Sequence, residues 1–445
     1  MNDLVASFFA VAGLLLAFAG TPYLLVRNLA PRMDGVASVA FSGMTSMLLN
    51  SAIPVFLHCA GIPITRPALM IAHALIAASL AILLLLRRIP RMSAFRLEDR
   101  ATFVFCGLLA VLLFPFTHLA GIDTYKWQDL ASNVMVEQNI PWLVHPLALF
   151  GFASPRAYPV IQPLVLASAE LIGHLGVDGG FYVASMVSSA TGTLGFYLLS
   201  RRLFAAPSMA FWCALLYACS PVFIRYNHWA TGRGIFLAFM PFLLMAGLRL
   251  PRPRATAACA AMLIALALAH KTALVLAAAL PVILLLSLLP LSGRPFSRIL
   301  LSSAILSSLL LTVFLAAPRY LPIPAGSVAG AAGALLTRFG LTIPLAGLGF
   351  VLALRPPTEY HARLILAGAL IGLPLACGQM YGAMIALPFM IILTAKGVEW
   401  VFARWPRRRT AIAALLLALT LLGTEAVLLR RSLAAGGVQC HQVRA

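Results

Sequence analysis

Long apolar runs alternate with short polar gaps from one end of the chain to the other. A bilayer core about 30 Å thick requires about 20 apolar residues in each spanning helix, and most of the runs approach that length. The pattern therefore predicts an all-α polytopic membrane protein with about fourteen transmembrane helices. The predicted spans are residues 4–26, 36–58, 67–86, 101–120, 178–200, 205–224, 234–250, 255–270, 272–290, 299–317, 339–354, 364–379, 382–400 and 410–428.

One segment, residues 122–177, interrupts this alternation with charged residues, prolines and aromatic residues. Within it Asp129, Asn133 and Glu137 recur every four residues, while apolar side chains fill the opposite side. That spacing predicts a helix lying flat at the membrane surface. Long loops in compact proteins are usually functional or disordered, and the apolar content of this loop argues against disorder. We therefore expect the active face of the protein here.

The composition agrees with a membrane protein. Hydrophobic residues make up 62% of the chain and charged residues only 10%, whereas globular domains are about a quarter charged. An ordinary water-soluble enzyme is thereby excluded. The seven cysteines are scattered singly, so neither a zinc site nor a disulfide framework is predicted. The first apolar run has no basic segment before it and no convincing cleavage site, which predicts a retained helix rather than a signal peptide.

Basic residues outnumber acidic ones by 32 to 12, for a net charge of +20. In a soluble protein this would suggest nucleic acid, but here most bases occupy the gaps between apolar runs. Membrane topology explains them better, so we expect membrane lipids and no nucleic acid as partners. If the arginine-rich gap at residues 87–100 is cytoplasmic, most bases fall on the cytoplasmic side. Both termini and the loop 122–177 are then extracytoplasmic, as in a protein of the cytoplasmic (inner) membrane.

Several segments in a fixed order carry a resemblance to a known superfamily. The outer loop opens with GIDTYKWQDL, and a Tyr-Pro element at Tyr158 precedes an apolar helix ending in LIGHLG. GTLGFYLLSRRLF, LLYACSPVFIRYNHWATGRGIFLAFMPFLL and ALAHKTALVLAAALP follow. This order resembles the GT-C membrane glycosyltransferases, which take a sugar from a polyprenyl-phosphate carrier. Protein O-mannosyltransferases and lipid A aminoarabinose transferases are the most similar in pattern. The resemblance covers residues 123–254 and the turn around His270; elsewhere only hydropathy matches.

The resemblance implies a division of the chain. Residues 101–290 correspond to a GT-C-like transmembrane catalytic module that contains the outer loop 122–177. Residues 1–100 form N-terminal transmembrane helices, three where the family usually has one, and residues 291–445 form C-terminal transmembrane helices. The implied activity is transfer of a sugar from a polyprenyl-phosphate donor to a lipid, glycan or protein acceptor on the extracytoplasmic face.

The loop supplies the candidate general base. The resemblance places the catalytic aspartate of the family at Asp123, although an aspartate there also suits a helix N-cap. Asp129 and Glu137 are candidates for acceptor or metal binding, and a solvated helix face explains them equally well. His145 and Tyr158 are further candidates for contacts with the acceptor or within the loop.

A leaving lipid phosphate requires positive charge, and acidic residues are absent between Asp178 and Glu359. Cations and histidines at predicted outer ends of spans are therefore candidates for phosphate binding, although charged groups at helix ends also reach the headgroups at little cost. Of these, Lys271 and Arg233 are the best placed. The full set is Lys271, Arg225, Arg233, His228, His270 and Arg319.

No cofactor is required by the sequence. Hard cations favour clustered carboxylates, and no Asp-x-Asp motif occurs, so a divalent metal is left open, with His145 and Asp123 as its candidate ligands. The chain also has no GxxxxGK[ST] phosphate loop, which argues against a soluble nucleotide-sugar donor.

Two other functions fit the same features. A transporter or lipid flippase also has many helices and intramembrane polar groups, although no internal repeat is evident. A polymerase or ligase of surface polysaccharides would use the same class of lipid-linked substrate.

Overall fold

A computed structural model describes residues 2–87, 97–113, 122–143, 148–149, 159–228, 231–288, 328–354, 360–378 and 380–423. All regular structure in these residues is helical. The helices are α1 (Asn2–Leu15), α2 (Thr21–Leu29), α3 (Gly35–Cys59), α4 (Arg66–Leu86), α5 (Leu97–Leu113), α6 (Ile122–Glu137), α7 (Ile161–Gly173), α8 (Val177–Leu203), α9 (Pro207–Ala218), α10 (Pro221–His228), α11 (Gly232–Gly247), α12 (Pro253–Ala269), α13 (Thr272–Leu288), α14 (Val328–Phe339), α15 (Pro344–Ala353), α16 (Tyr360–Gly378), α17 (Met380–Arg404) and α18 (409–423).

Polar residues in the gaps define where several helices begin. The carboxylate of Asp34 accepts a hydrogen bond from the backbone N–H of Ala37 at 2.8 Å and caps α3. The hydroxyl of Thr65 accepts one from the backbone N–H of Ala68 at 3.4 Å and caps α4. Both caps satisfy backbone donors that a helix leaves unpaired at its start.

Four helical stretches in the described residues are long and apolar enough to cross a bilayer: Ala6–Leu29, Gly35–Cys59, Arg66–Leu86 and Tyr381–Arg404. The first joins α1 and α2 through a π-helical turn at Leu16–Gly20. A fifth, formed by α9 and α10, is bent by 60° at a short break. Six of the other apolar helices have only 10–17 residues. An all-helical protein compatible with a membrane is therefore confirmed, whereas fourteen spans are not.

The chain divides into two compact units. The first comprises residues 1–198, 226–243 and 258–271, and the second comprises residues 199–225, 244–257 and 272–445. The division of the chain at residues 100 and 290 was based on the predicted spans and the resemblance rather than on compact units, and it stays a prediction.

In the first unit, α7 is the central element. It packs against α1, α3, α4 and α6, and almost all of its residues are buried. The hydroxyl of Ser168 donates to the backbone carbonyl of Asn50 on α3 at 2.9 Å. Buried polar groups thus pair between neighbouring helices, as expected where water is excluded.

In the second unit, α17 packs against α9, α15 and α16. The approach of α15 is close, because a Cβ on Gly349 would lie 1.9 Å from the backbone carbonyl oxygen of Leu393. Only glycine allows backbones to meet at this distance, which is typical of helix packing in membranes.

Candidate functional site

The helix predicted within residues 122–177 is confirmed as α6, and its place at the membrane surface stays a prediction. Asp129, Asn133 and Glu137 are all exposed, whereas Leu130 and Val134 on the other side are buried. The buried side accompanies packing of α6 against α7. Asp129 and Glu137 therefore lie on an exposed helix face, and within the described residues no polar contact joins them to a binding site.

Asp123 occupies the first turn of α6, one turn before Trp127. Its position on the helix is described, but its side chain is not. His228 is the last residue of α10, with its side chain likewise outside the description. His145, Tyr158 and Arg319 lie outside the described residues, so their predicted roles stay predictions.

Two breaks between helices meet in the first unit. Gly232 begins α11, and a Cβ on Gly232 would lie 2.3 Å from the backbone oxygen of Ala269, the last residue of α12. The same Cβ would lie 3.3 Å from the indole ring of Trp127, which is 5% exposed. The start of α11, the end of α12 and the buried aromatic ring of α6 are therefore in contact.

Three of the predicted phosphate ligands come together at these breaks, and we call them the cation cluster: Arg233, His270 and Lys271. His270 is 5% exposed, Arg233 is half-buried and Lys271 is exposed. The positive charges of Arg233 and Lys271 both act on the imidazole of His270, so the three side chains lie near one another.

Each cation of the cluster lies at the N-terminus of a helix. Arg233 lies in the first turn of α11, and Lys271 immediately precedes Thr272, the first residue of α13. A helix N-terminus carries a partial positive charge and normally favours acidic residues nearby. Arg233 and Lys271, both near His270 in the first unit, create a positive site, and an anion such as a phosphate would relieve their repulsion.

The turn between α10 and α11 holds Arg233 in place. The guanidinium carbon of Arg233 lies 5.2 Å from the centre of the buried Tyr226 ring, within range of a cation–π interaction. Thr231, which is 1% exposed, donates its hydroxyl to the backbone oxygen of Tyr226 at 3.3 Å. The carbonyl of Thr231 then accepts the first backbone hydrogen bond of α11, from Gly234 at 2.8 Å.

Two serines on α8 support the same turn, and the sequence prediction did not include them. The hydroxyl of Ser188 donates to the side-chain oxygen of Asn227 at 2.5 Å. The hydroxyl of Ser185 donates to the backbone oxygen of Asn227. Asn227 and Ser185 are fully buried and Ser188 is 2% exposed. Hydroxyls three residues apart in an apolar helix were the available signal, since such groups often bond to a neighbouring helix.

The other face of this part of α8 lines an apolar cavity. The cavity has a volume of about 750 Å³ and is lined by residues of the first unit that include Val183, Val187 and Leu194 of α8. Leu14 and Phe18, from the first spanning stretch, lie across from them. Neither Ser185 nor Ser188 lines this cavity, so the polar contacts of α8 and its cavity-lining residues lie on different faces of the helix. No residue of the cation cluster lines the cavity either.

Arg225 belongs to the second unit and is half-buried on α10. The structure therefore joins three of the six predicted phosphate ligands, Arg233, His270 and Lys271.

Among the residues that the structure describes, no group of three or more His, Cys, Asp or Glu side chains is arranged to hold a metal ion. The side chains of Asp123 and His145 are not among those described, so the metal proposed for that pair is untested. Comparison with protein-family models and with curated proteins finds no match for this chain.

Proposed function

We propose that this protein is a membrane glycosyltransferase that takes a sugar from a polyprenyl-phosphate carrier. We further propose that about fourteen spans cross the cytoplasmic membrane, with the loop 122–177 and the cation cluster on the extracytoplasmic side. The acceptor would be the hydroxyl of a lipid, glycan or protein.

The observation that supports this proposal most strongly is the convergence of Arg233 and Lys271 at two helix N-termini. The two cations come from segments almost forty positions apart in the chain, and neither helix gains from a cation at its start. A lipid phosphate would find two charge-assisted hydrogen-bond donors there. The buried imidazole of His270 adds a hydrogen-bonding group beside them.

In the proposed reaction, the acceptor hydroxyl attacks the sugar carbon that carries the phosphate. A new carbon–oxygen bond forms, the bond between that carbon and the phosphate oxygen breaks, and the proton of the hydroxyl passes to Asp123. Negative charge develops on the departing lipid phosphate, where Arg233 and Lys271 would stabilise it. The position of Asp123 one turn before Trp127 supports this arrangement, because the Trp127 ring reaches Gly232 at the edge of the cluster.

The test combines sugar transfer with binding of a polyprenyl phosphate by the full-length protein in detergent. We expect Asp123→Asn to lower transfer about 10²- to 10⁴-fold while polyprenyl phosphate still binds, since only the base is lost. Lys271→Gln should lower transfer about 100-fold and weaken binding as well. Arg100→Gln removes an exposed cation of the same unit at the start of α5 and should change neither quantity.

Undiminished transfer by Asp123→Asn would remove the proposed base. Equal binding by Lys271→Gln and the wild type would remove the proposed phosphate site.

A transporter is a second candidate because of one buried carboxyl group. Glu170 on α7 is 5% exposed, and its Oε1 atom has no hydrogen-bond partner among the residues that the structure describes. An ionisable group buried among apolar helices is often part of an ion or proton pathway. Reconstituted vesicles distinguish the two functions: substrate flux abolished by Glu170→Gln, without any glycosyl transfer, would favour transport. A polysaccharide polymerase or ligase differs from the leading proposal only in its acceptor, which transfer assays with defined acceptors would identify.

A further inference from the structure

Four arginines lie within six positions at the end of the candidate span Tyr381–Arg404. They are Arg404, Arg407, Arg408 and Arg409. Helix α17 ends at Arg404, a 3-10 turn covers Pro406–Arg408, and α18 starts at Arg409. Residues 403–410 are all exposed. The stretch Tyr381–Arg404 is one of the four able to cross a bilayer, so these cations directly follow a candidate membrane span.

The arginines fall into two groups. Arg409 is held in place, since it donates to the hydroxyl of Ser208 at 3.2 Å and lies 5.2 Å from the centre of the Phe402 ring. Arg404, Arg407 and Arg408 make no side-chain hydrogen bond or ion pair with the part of the chain that the structure describes. Three guanidinium groups are thus available to an external anion.

No acidic side chain in the part of the chain that the structure describes pairs with the three cations. The nearest acid in the sequence is Glu399, one turn or more earlier on α17. It is only partly exposed and makes no ion pair with the described residues. Among the described residues of the second unit, no acidic side chain therefore offsets the positive charge of the turn.

Two exposed tryptophans accompany the arginines. Trp400 is 39% exposed and Trp405 is 45% exposed, and their rings meet edge to face with centres 6.0 Å apart. Tryptophan concentrates at the boundary between hydrocarbon and headgroups, because its ring is apolar and its N–H is polar. The pair indicates that the basic turn lies at headgroup depth rather than in the aqueous phase.

From these observations we infer that Arg404, Arg407 and Arg408, flanked by Trp400 and Trp405, form a binding surface for the phosphate headgroups of anionic phospholipids. With Arg409 the turn carries four basic residues directly after the span, and clusters of four or more in this position attract anionic lipids. A membrane lipid fits better than an acidic protein, because the span ends at the cluster and the tryptophans share its surface. This surface belongs to the second unit and is independent of the proposed sugar transfer.

The test measures the dissociation constant of a fluorescent phosphatidylglycerol for the full-length protein in a neutral detergent. The probe variant is Arg404→Gln/Arg407→Gln/Arg408→Gln. A matched control, Arg249→Gln/Arg252→Gln/Arg254→Gln, removes three exposed arginines of the same unit that have no tryptophan beside them. Circular dichroism and thermal unfolding show whether each variant is folded.

A headgroup contact is worth about 1 kcal/mol per arginine, so each lost arginine should weaken binding about fivefold and the triple variant about a hundredfold. The control should weaken it far less. Phosphatidylcholine and inorganic phosphate should not displace the probe at matched concentrations. Equal weakening in the probe and control variants, no preference for phosphatidylglycerol over phosphatidylcholine, or full displacement by inorganic phosphate would each overturn the inference.

Discussion

The polar stripe of α6 and the cation cluster belong to the same unit, yet they are built in opposite ways. The stripe consists of Asp129, Asn133 and Glu137, which lie on one helix, four residues apart, and are all exposed. The cluster takes its residues from two segments almost forty positions apart, and its histidine is buried near both cations. The regularly spaced residues of the stripe are thus exposed to solvent. The cluster, where distant segments meet, contains a buried polar side chain.

Burial distinguishes polar residues that indicate a functional site from those that do not. Hydration satisfies an exposed carboxylate wherever it lies, so such a residue constrains the protein little. A buried polar group must find partners, and leaving it unpaired costs free energy. Polar groups retained in a buried turn, such as Asn227 and Thr231, are therefore stronger indicators of a constructed site than a charged stripe on a helix.

The largest effect should come from adding a methyl group at Gly232, where the start of α11 meets the end of α12. Gly232→Ala places a Cβ against the backbone oxygen of Ala269 and the Trp127 ring, so the two helix ends must separate. We expect a loss of about 1–3 kcal/mol in the free energy of unfolding. Thermal unfolding in detergent measures this loss. Gly107→Ala on α5 is the control, because nothing lies within 4 Å of its Cβ. A loss no larger than that of the control would show that the contact is not tight.

An intermediate effect on the free energy of unfolding should distinguish the buried Asn227 from the exposed Asn133. Asn227→Ala removes the acceptor of the Ser188 hydroxyl at a fully buried position, and we expect a loss of about 1–3 kcal/mol in the free energy of unfolding. Asn133→Ala on the exposed stripe should change that free energy by less than about 0.5 kcal/mol. Denaturation of both variants in the same detergent gives the difference, and equal losses would contradict the distinction between the two regions.

The smallest effect should come from neutralising the stripe. Asp129→Asn/Glu137→Gln leaves two exposed positions polar, so we expect folding to change by less than about 0.5 kcal/mol. Sugar transfer and polyprenyl phosphate binding should also stay at the wild-type level. A marked loss of transfer with normal folding would return these two residues to the candidate site.

Helices were predictable from the sequence to different degrees. The spans at residues 36–58, 67–86 and 382–400 correspond closely to α3, α4 and α17, because long uninterrupted apolar runs have one stable solution in a bilayer. Residues 205–224 form a bent pair instead, with the break at the Ser220–Pro221 step. Hydropathy averages over such a break, and a proline at the start of a helix redirects the chain without changing the average.

The candidate site was predictable in part. Arg233, His270 and Lys271 were identifiable because a lipid phosphate requires positive charge and acidic residues are absent from this part of the sequence. Ser185, Ser188 and Asn227 were not identified, because small polar residues are common in membrane helices and only their partners distinguish them.

The sequence by itself determined that this chain is helical and compatible with a membrane, and that α6 has one polar face. Those properties follow from local hydropathy and periodicity, which act over a few turns. Only the tertiary structure decided that the start of α11 and the end of α12 meet beside Trp127 and that Arg233 and Lys271 are near the same buried imidazole. Contacts between distant segments depend on how helices pack, and packing is set by side-chain shape at many positions at once.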